Sequence, residues 1–275
     1  MLLGVPQNVT PYCGTPPNPD DLWRRWNLDP VLILVLLFGV GLYVVALDRR
    51  SIDKADSPHW RRWAFFGGWI TLTLALVSPL CPLSVSLFSA RVGQHMVLSL
   101  VAAPMLILGE PGKIFGRLWP GFDLWQRKLS HFGTPLVATL GFALAIWFWH
   151  APGPYDATFS SNVVYWLMHI TIIGTALMIW SVLLDPSREG TVTVLAVGAI
   201  STLQMTFLGA LITMTPHLLY APHILTPYAW GLTQASDQQL GGLIMWVPGC
   251  SVFLGVTLYS LAKIMAERAR PAALA

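Results

Sequence analysis

Charged residues are scarce in this chain. Only 11% of its 275 residues are Asp, Glu, Lys or Arg, whereas about a quarter of the residues in a soluble domain are charged. Hydrophobic residues make up 55% of the sequence. The composition therefore excludes an ordinary water-soluble globule and favours a protein that lies within a membrane.

Cysteines and enzyme motifs are scarce too. The three cysteines form no CxxC pair, which excludes a disulfide framework. Cys13 and Cys81 could form a disulfide in an oxidising periplasm or remain free thiols. The sequence contains no GxSxG, no HExxH, no phosphate-binding loop and no pair of intramembrane carboxylates. We therefore expect that the protein is not an enzyme.

What the chain does have is a series of long hydrophobic runs. A helix needs about 20 apolar residues to cross about 30 Å of hydrocarbon, and these runs lack the alternation of membrane β-strands. The sequence therefore predicts an all-α, polytopic membrane helical bundle with seven transmembrane helices in a domain over 31–264, between a tail at 1–30 and a tail at 265–275. The predicted spans cover 31–47, 63–80, 92–108, 135–150, 163–184, 191–213 and 239–262.

Basic residues are concentrated in every second segment between the predicted spans. Thirteen of the sixteen Lys and Arg residues lie in the segments 48–62, 109–134, 185–190 and the C-terminal end. Because cytoplasmic loops are enriched in Lys and Arg, this pattern predicts a periplasmic N-terminus and a cytoplasmic C-terminus. The basic residues thus determine topology, and we expect lipid contact and no nucleic-acid partner.

Three histidines lie near the predicted periplasmic ends of different spans: His95, His150 and His169. Ionisable residues at membrane depth are costly and usually face a functional site. Imidazole binds copper and haem iron, so the three histidines indicate a metal site near the outer face. The alternative is a polar network that only holds helices together. His217 and His223 lie in a periplasmic loop, where we expect exposed side chains.

The last span begins with a second candidate group. Asp237, Gly241 and Met245 recur at intervals of four residues, so they share one face of a helix. A carboxylate and a soft thioether could complete a copper site. Asp237 could instead be the N-cap of its own helix. Gly241 and Gly242 are expected chiefly to permit close helix packing.

These segments resemble a known family. The run DQQLGGLIMWVPG at 237–249, together with HMV at 95–97 and WHAP at 149–152, is similar to the integral-membrane CtaG family of cytochrome c oxidase assembly factors. The resemblance implies a role in building the copper centre of a haem–copper oxidase. The chain departs from the family at Ser99 and Tyr165, where family members often carry histidines. The remaining ligand candidates are His95, His150 and His169, completed by Asp237, Met245 or water.

The leading hypothesis is therefore an oxidase assembly factor of the bacterial inner membrane that binds copper near the periplasmic face. Its partners would be the catalytic subunit of cytochrome c oxidase and periplasmic copper chaperones, and it could form a homo-oligomer. Asp237 would orient one imidazole by accepting its N–H. The alternatives are a haem-binding membrane protein, with His150 or His169 as axial ligand, and a metal-free structural chaperone of an oxidase subunit.

The charge pattern makes a topology prediction. Reporter fusions placed after residue 158 and after residue 225 should behave as periplasmic, and fusions after 55 and 120 as cytoplasmic, because this orientation places the basic segments inside. A cytoplasmic signal from either of the first two fusions would invert the bundle. It would also place the three histidines on the wrong face for periplasmic copper.

Overall fold

A computed structural model describes residues 10–48, 58–111, 135–184 and 190–269. Most of the predicted cytoplasmic segments 48–62, 109–134 and 185–190, and the ends of both predicted tails, lie outside these ranges. Within them the chain forms helices and no strand, which confirms the predicted all-α class. The α-helices are α1 Pro30–Asp48, α2 His59–Val77, α3 Leu80–Ser86, α4 Phe88–Leu108, α5 Pro135–His150, α6 Pro152–Ser160, α7 Asn162–Leu183, α8 Thr191–Met214 and α9 Gln234–Ala269.

Several of these helices can cross a membrane. In the described ranges, α1, α4, α7, α8 and α9 are each long and apolar enough to do so. Two further pairs of helices are bent, by 46° between α2 and α3 and by 72° between α5 and α6, and each pair could form one broken span. The structure thus has five to seven candidate spans, and their positions follow the predicted hydrophobic runs.

Helix α4 lies at the centre of the bundle. Of its span, 61% of the residues are buried inside the protein, against 22% for α1. It packs against α2, α7 and α9, while α8 and α9 pack along each other. One hydrophobic core includes residues of α4, α5, α7 and α9, such as Phe142, Ile172 and Phe253. A second core joins α1 and α2 to the other side of α4.

Helix α9 begins five residues before the predicted start of the seventh span at 239. Its first turn is closed by Thr233 and Ser236. The Thr233 backbone N donates to Ser236 Oγ at 2.8 Å, and the Ser236 backbone N donates to Thr233 Oγ1 at 3.1 Å. This reciprocal pair of bonds satisfies backbone donors at the helix start, as in a capping box. Asp237 is therefore not the N-cap of its own helix, and that interpretation was wrong.

The contact between α8 and α9 depends on two glycines. A Cβ atom added to Gly242 would lie 2.7 Å from the Gly209 carbonyl oxygen, and one added to Gly209 would lie 2.9 Å from the Gly242 carbonyl oxygen. Both obstacles are backbone atoms, which cannot rotate away. The two helices approach this closely because neither residue has a side chain, as expected of small residues between membrane helices.

Replacing Gly242 should therefore separate these helices. Gly242→Ala should lower the thermal unfolding midpoint of the purified protein, by a destabilisation of about 1–3 kcal/mol, because the added methyl group overpacks the contact. The matched control is Gly255→Ala on the same helix, where an added Cβ would have no neighbour within 4 Å. Equal midpoints for the two variants would show that the close approach does not stabilise the bundle.

Candidate metal centre

The structure brings His95, His150 and His169 together. His95 lies on α4, His150 is the last residue of α5, and His169 lies on α7. The His95 ring centroid is 5.7 Å from that of His150 and 5.5 Å from that of His169. All three side chains are buried, with exposures of 1%, 3% and 1%. We call these three residues the histidine cluster.

Two of the rings are oriented by backbone carbonyls one turn earlier in their own helices. His150 Nδ1 lies 2.7 Å from the Ile146 carbonyl oxygen, and His169 Nδ1 lies 3.1 Å from the Tyr165 carbonyl oxygen. Because a carbonyl oxygen only accepts, each Nδ1 carries the hydrogen, and in a neutral ring the Nε2 atom then keeps its lone pair. A backbone carbonyl commonly fixes a metal-binding histidine in this way.

The remaining ring nitrogens of the cluster have no hydrogen-bond partner. They are Nε2 of His150, Nε2 of His169 and both ring nitrogens of His95, all of them buried. A buried polar atom without a partner costs about 1–3 kcal/mol, so such atoms usually serve a function. Nevertheless, in the described residues no group of three or more His, Cys, Asp or Glu side chains is arranged to hold a metal ion. The cluster is thus a set of neighbouring rings, without a preformed coordination shell.

The backbone changes immediately after His95. Residues Val97–Ala102 of α4 form a π-helical turn, a feature that is frequent at functional sites. Within it, Ser99 Oγ donates to the His95 carbonyl oxygen at 2.6 Å, and Trp180 Nε1 donates to the Ser99 carbonyl oxygen at 2.6 Å. These bonds tie the His95 backbone to α7. Sequence reasoning missed this turn, because no residue in the apolar run marks it.

Arg91 is a functional candidate that sequence reasoning did not single out. It lies one turn before His95 on the same face of α4 and is only 1% exposed. Its Nη1 donates to Thr158 Oγ1 at 2.5 Å, and its guanidinium lies 4.2 Å from the ring centroid of Phe159 and 5.7 Å from that of Tyr165. The ion pairs of the described residues involve Arg25 and Arg61 instead. Arg91 is therefore a buried positive charge that aromatic rings stabilise.

His223 shares the neighbours Tyr155 and Phe159 with Arg91. It is only 1% exposed, so its expected exposure was wrong, whereas His217 is exposed as predicted. His223 Nδ1 donates to the Ser86 carbonyl oxygen at 3.2 Å, and its Nε2 accepts from the Tyr155 hydroxyl at 2.7 Å. Burial, and then the charge of Arg91, lower the pKa of His223 to about 3. The loop histidine is therefore a neutral structural residue.

Asp237 is placed against the start of α4. Its side chain is fully buried, and its Oδ2 accepts from the Phe88 backbone N at 2.7 Å. Its Oδ1 accepts from the Ser89 backbone N at 3.1 Å and from Ser89 Oγ at 2.5 Å. The carboxylate thus satisfies unpaired N–H groups of a neighbouring helix, the helix that carries His95.

The following residues of the run at 237–249 on α9 also make packing contacts. Gln238 accepts from the Leu219 backbone N at 2.8 Å and donates to the His217 carbonyl oxygen at 3.0 Å, which holds the loop before α9. A Cβ on Gly241 would meet the Phe88 ring at 2.4 Å. Met245 is fully buried in the main core. Its assignment as a ligand, like that of Asp237, stays a prediction.

The N-terminal tail contacts Tyr165, a neighbour of the histidine cluster. Cys13 and Cys81 form a disulfide with Cα atoms 5.4 Å apart, as one of the two sequence alternatives predicted. The Tyr165 hydroxyl lies 3.3 Å from Cys13 Sγ and 3.7 Å from Cys81 Sγ. The Tyr165 ring in turn lies 4.3 Å from the His169 ring, centroid to centroid.

The chain has relatives among known proteins. Residues 41–267 match the family model described as cytochrome c oxidase caa3 assembly factor, Caa3_CtaG. An uncharacterized protein of Mycobacterium leprae (strain TN) is 23% identical over 254 residues, which cover 84% of this chain and 38% of that protein. A lipoprotein signal peptidase of Enterobacter sp. (strain 638) is 40% identical over 68 residues, 25% of this chain and 36% of that protein. The chain thus spans well under half of each of these relatives, and no solved structure matches it.

The contacts of Asp237 predict the effect of removing its charge. Asp237→Asn should destabilise the protein by about 1–3 kcal/mol, because an amide offers one acceptor oxygen and its NH2 group would face a backbone N–H. Thermal unfolding of the purified variant measures this. The matched control is Asp156→Asn, since Asp156 Oδ1 has no hydrogen-bond partner to lose. If Asp237→Asn unfolds at the wild-type temperature, Asp237 does not cap α4.

Proposed function

This chain belongs to the cytochrome c oxidase caa3 assembly factor family, and we propose that it carries copper at the histidine cluster for the catalytic subunit of the oxidase. The family model covers most of the chain, and the several apolar helices fit a membrane protein. The family was predicted from the sequence, and that prediction is confirmed. Copper binding and copper delivery are our proposal.

The observation that carries the proposal is the set of unpaired imidazole nitrogens. Carbonyl bonds leave Nε2 of His150 and Nε2 of His169 as lone-pair donors in a buried space beside His95. Imidazole in this tautomer is a good ligand for copper. The three rings are not arranged to hold an ion in this structure, so binding would require the cluster to rearrange. A site that needs such a rearrangement suits a protein that releases its metal.

Arg91 supports copper in its monovalent form. Its buried charge lies one turn from His95 on α4, and charges interact strongly where water is excluded. A fixed positive charge opposes a divalent cation more than a monovalent one. Neutral imidazoles contribute no compensating negative charge, so the cluster favours Cu(I) over Cu(II) and Zn²⁺. The same repulsion would assist release to an oxidase subunit.

The position of the cluster supports delivery at the outer face. His95 and His169 each lie seven residues from the start of their helices, which is about 10 Å along the axis. With seven spans and a periplasmic N-terminus in the bacterial inner membrane, this depth is close to the periplasm. Copper would arrive there from periplasmic chaperones. An oxidase subunit or a second copy of the chain would contact the lipid-exposed helices.

Copper content of the purified protein tests the proposal. Wild-type protein loaded with Cu(I) should retain about one copper ion per chain, and changing all three histidines to Ala should lower its affinity on the order of tenfold or more. His217→Ala is the control, because His217 is an exposed histidine outside the cluster. All variants should be compared by thermal unfolding to show that they are folded.

Each alternative has its own outcome in this experiment. Unchanged copper binding in the folded triple variant would contradict a copper site at the histidine cluster. It would favour the alternative of a metal-free structural chaperone of an oxidase subunit. A Soret absorption band in protein expressed with haem available, and lost when His150 or His169 is changed, would favour a haem-binding protein instead.

A further inference from the structure

The histidine cluster is closed to solvent in this structure. The three side chains are at most 3% exposed, so neither a metal ion nor a partner can reach them without movement of a neighbouring segment. A metal site requires a path of access. The segment that can move is one held by few packing contacts of its own.

The N-terminal tail is a candidate, because between residues 10 and 21 only Cys13 and Pro17 are buried. It lies against Tyr165, a neighbour of the cluster. The Tyr12 ring stacks on Tyr165 with centroids 4.7 Å apart, and Tyr165 in turn lies against His169. Tyr12 also contacts Trp166 edge to face, at 5.1 Å between centroids. Tyr165 therefore lies between Tyr12 of the tail and His169 of the histidine cluster.

The tail has no helix of its own in this part. Between residues 10 and 21 it is bends and turns, so its position depends on a few attachments. The Ser86 Oγ atom donates to the Pro17 carbonyl oxygen at 2.9 Å, and the Asn27 backbone N donates to the Val77 carbonyl oxygen at 2.9 Å. Within the tail, Tyr12 Oη donates to Asp29 Oδ2 at 2.7 Å. The covalent attachment is the Cys13–Cys81 disulfide, one residue from Tyr12. Hydrogen bonds of this kind can break and re-form, whereas the disulfide cannot open without a reductant.

We infer that the Cys13–Cys81 disulfide is a redox latch that holds the N-terminal tail over the histidine cluster, and that its reduction opens the cluster to metal. The inference rests on the proposed function in treating the cluster as the metal site. The reductant is a dithiol, either a small molecule or a thiol–disulfide oxidoreductase. It gives two electrons and two protons to the S–S bond and becomes a disulfide itself, while Cys13 and Cys81 become thiols.

Chemical modification of histidines tests the latch without any metal. Diethyl pyrocarbonate acylates neutral imidazole nitrogens that it can reach, and mass spectrometry of peptides assigns each modified residue. Full-length protein in detergent is treated before and after reduction with a small dithiol. Reduction should accelerate modification of His95 and His169 on the order of tenfold or more, because the tail then detaches by local opening. Cys13→Ala should show the fast rate without reductant.

Two other histidines serve as internal controls. His217 is exposed and should be modified at the same rate in both redox states. His223 is as buried as the cluster, and its partners are the Ser86 carbonyl oxygen and the Tyr155 hydroxyl, whereas the tail is bound by the Ser86 side chain. It should stay protected in both states. Cys250→Ala, which removes the free cysteine, should behave as wild type.

Two outcomes would overturn the latch. If the cluster histidines react at the same rate with and without the disulfide, the tail does not control access. If His223 becomes reactive together with the cluster, the disulfide stabilises the whole fold. The result does not depend on copper binding, so loss of the copper site in the triple histidine variant and failure of the latch are separate findings. Reduction of folded wild-type protein supplies the answer even if Cys13→Ala does not fold.

Discussion

The bundle around the candidate site depends on one buried carboxylate. Asp237 projects from α9 and accepts the backbone N–H groups of Phe88 and Ser89, which begin α4. Unpaired N–H groups at a helix start are costly in a water-poor interior, and a negative charge there also complements the helix dipole. These bonds hold the start of α4, the most buried of the candidate spans in the described residues, which carries Arg91 and His95. Gly241 and Gly242 let α9 approach Phe88 and α8 closely. The run 237–249 therefore serves mainly in helix packing.

Much of the fold was predictable because long apolar helices leave a strong sequence signal. The runs that begin at 31, 135, 163 and 191 coincide with α1, α5, α7 and α8 to within one residue at their starts. The start of α9 was missed because Thr233 and Ser236 precede the apolar run. The partner of Asp237 could not be predicted, since the capped helix lies about 150 residues away and no local pattern links the two.

The proximity of the three histidines was predictable from the sequence, and their surroundings were not. Three ionisable residues at similar depth in different spans are expected to lie close together, because membrane burial is costly for each of them alone. The tautomers, the π-helical turn after His95 and the aromatic cage around Arg91 depend on tertiary contacts, which leave no signal in one sequence. Together they describe neutral donors beside a fixed positive charge, beneath a tail held by a disulfide. Reversible carriage of Cu(I) by this arrangement is our proposal; the membership of the chain in an oxidase assembly family is consistent with it.

X-ray absorption spectroscopy of the copper-loaded protein tests this account most directly, because it reports the atoms bound to the metal. The account predicts the multiple-scattering pattern of imidazole rings with Cu–N distances of about 2 Å, as for other first-row metals bound by histidine. It also predicts an absorption edge typical of Cu(I). A spectrum with only sulfur or oxygen neighbours and no imidazole scattering would contradict it, because copper would then be bound outside the histidine cluster.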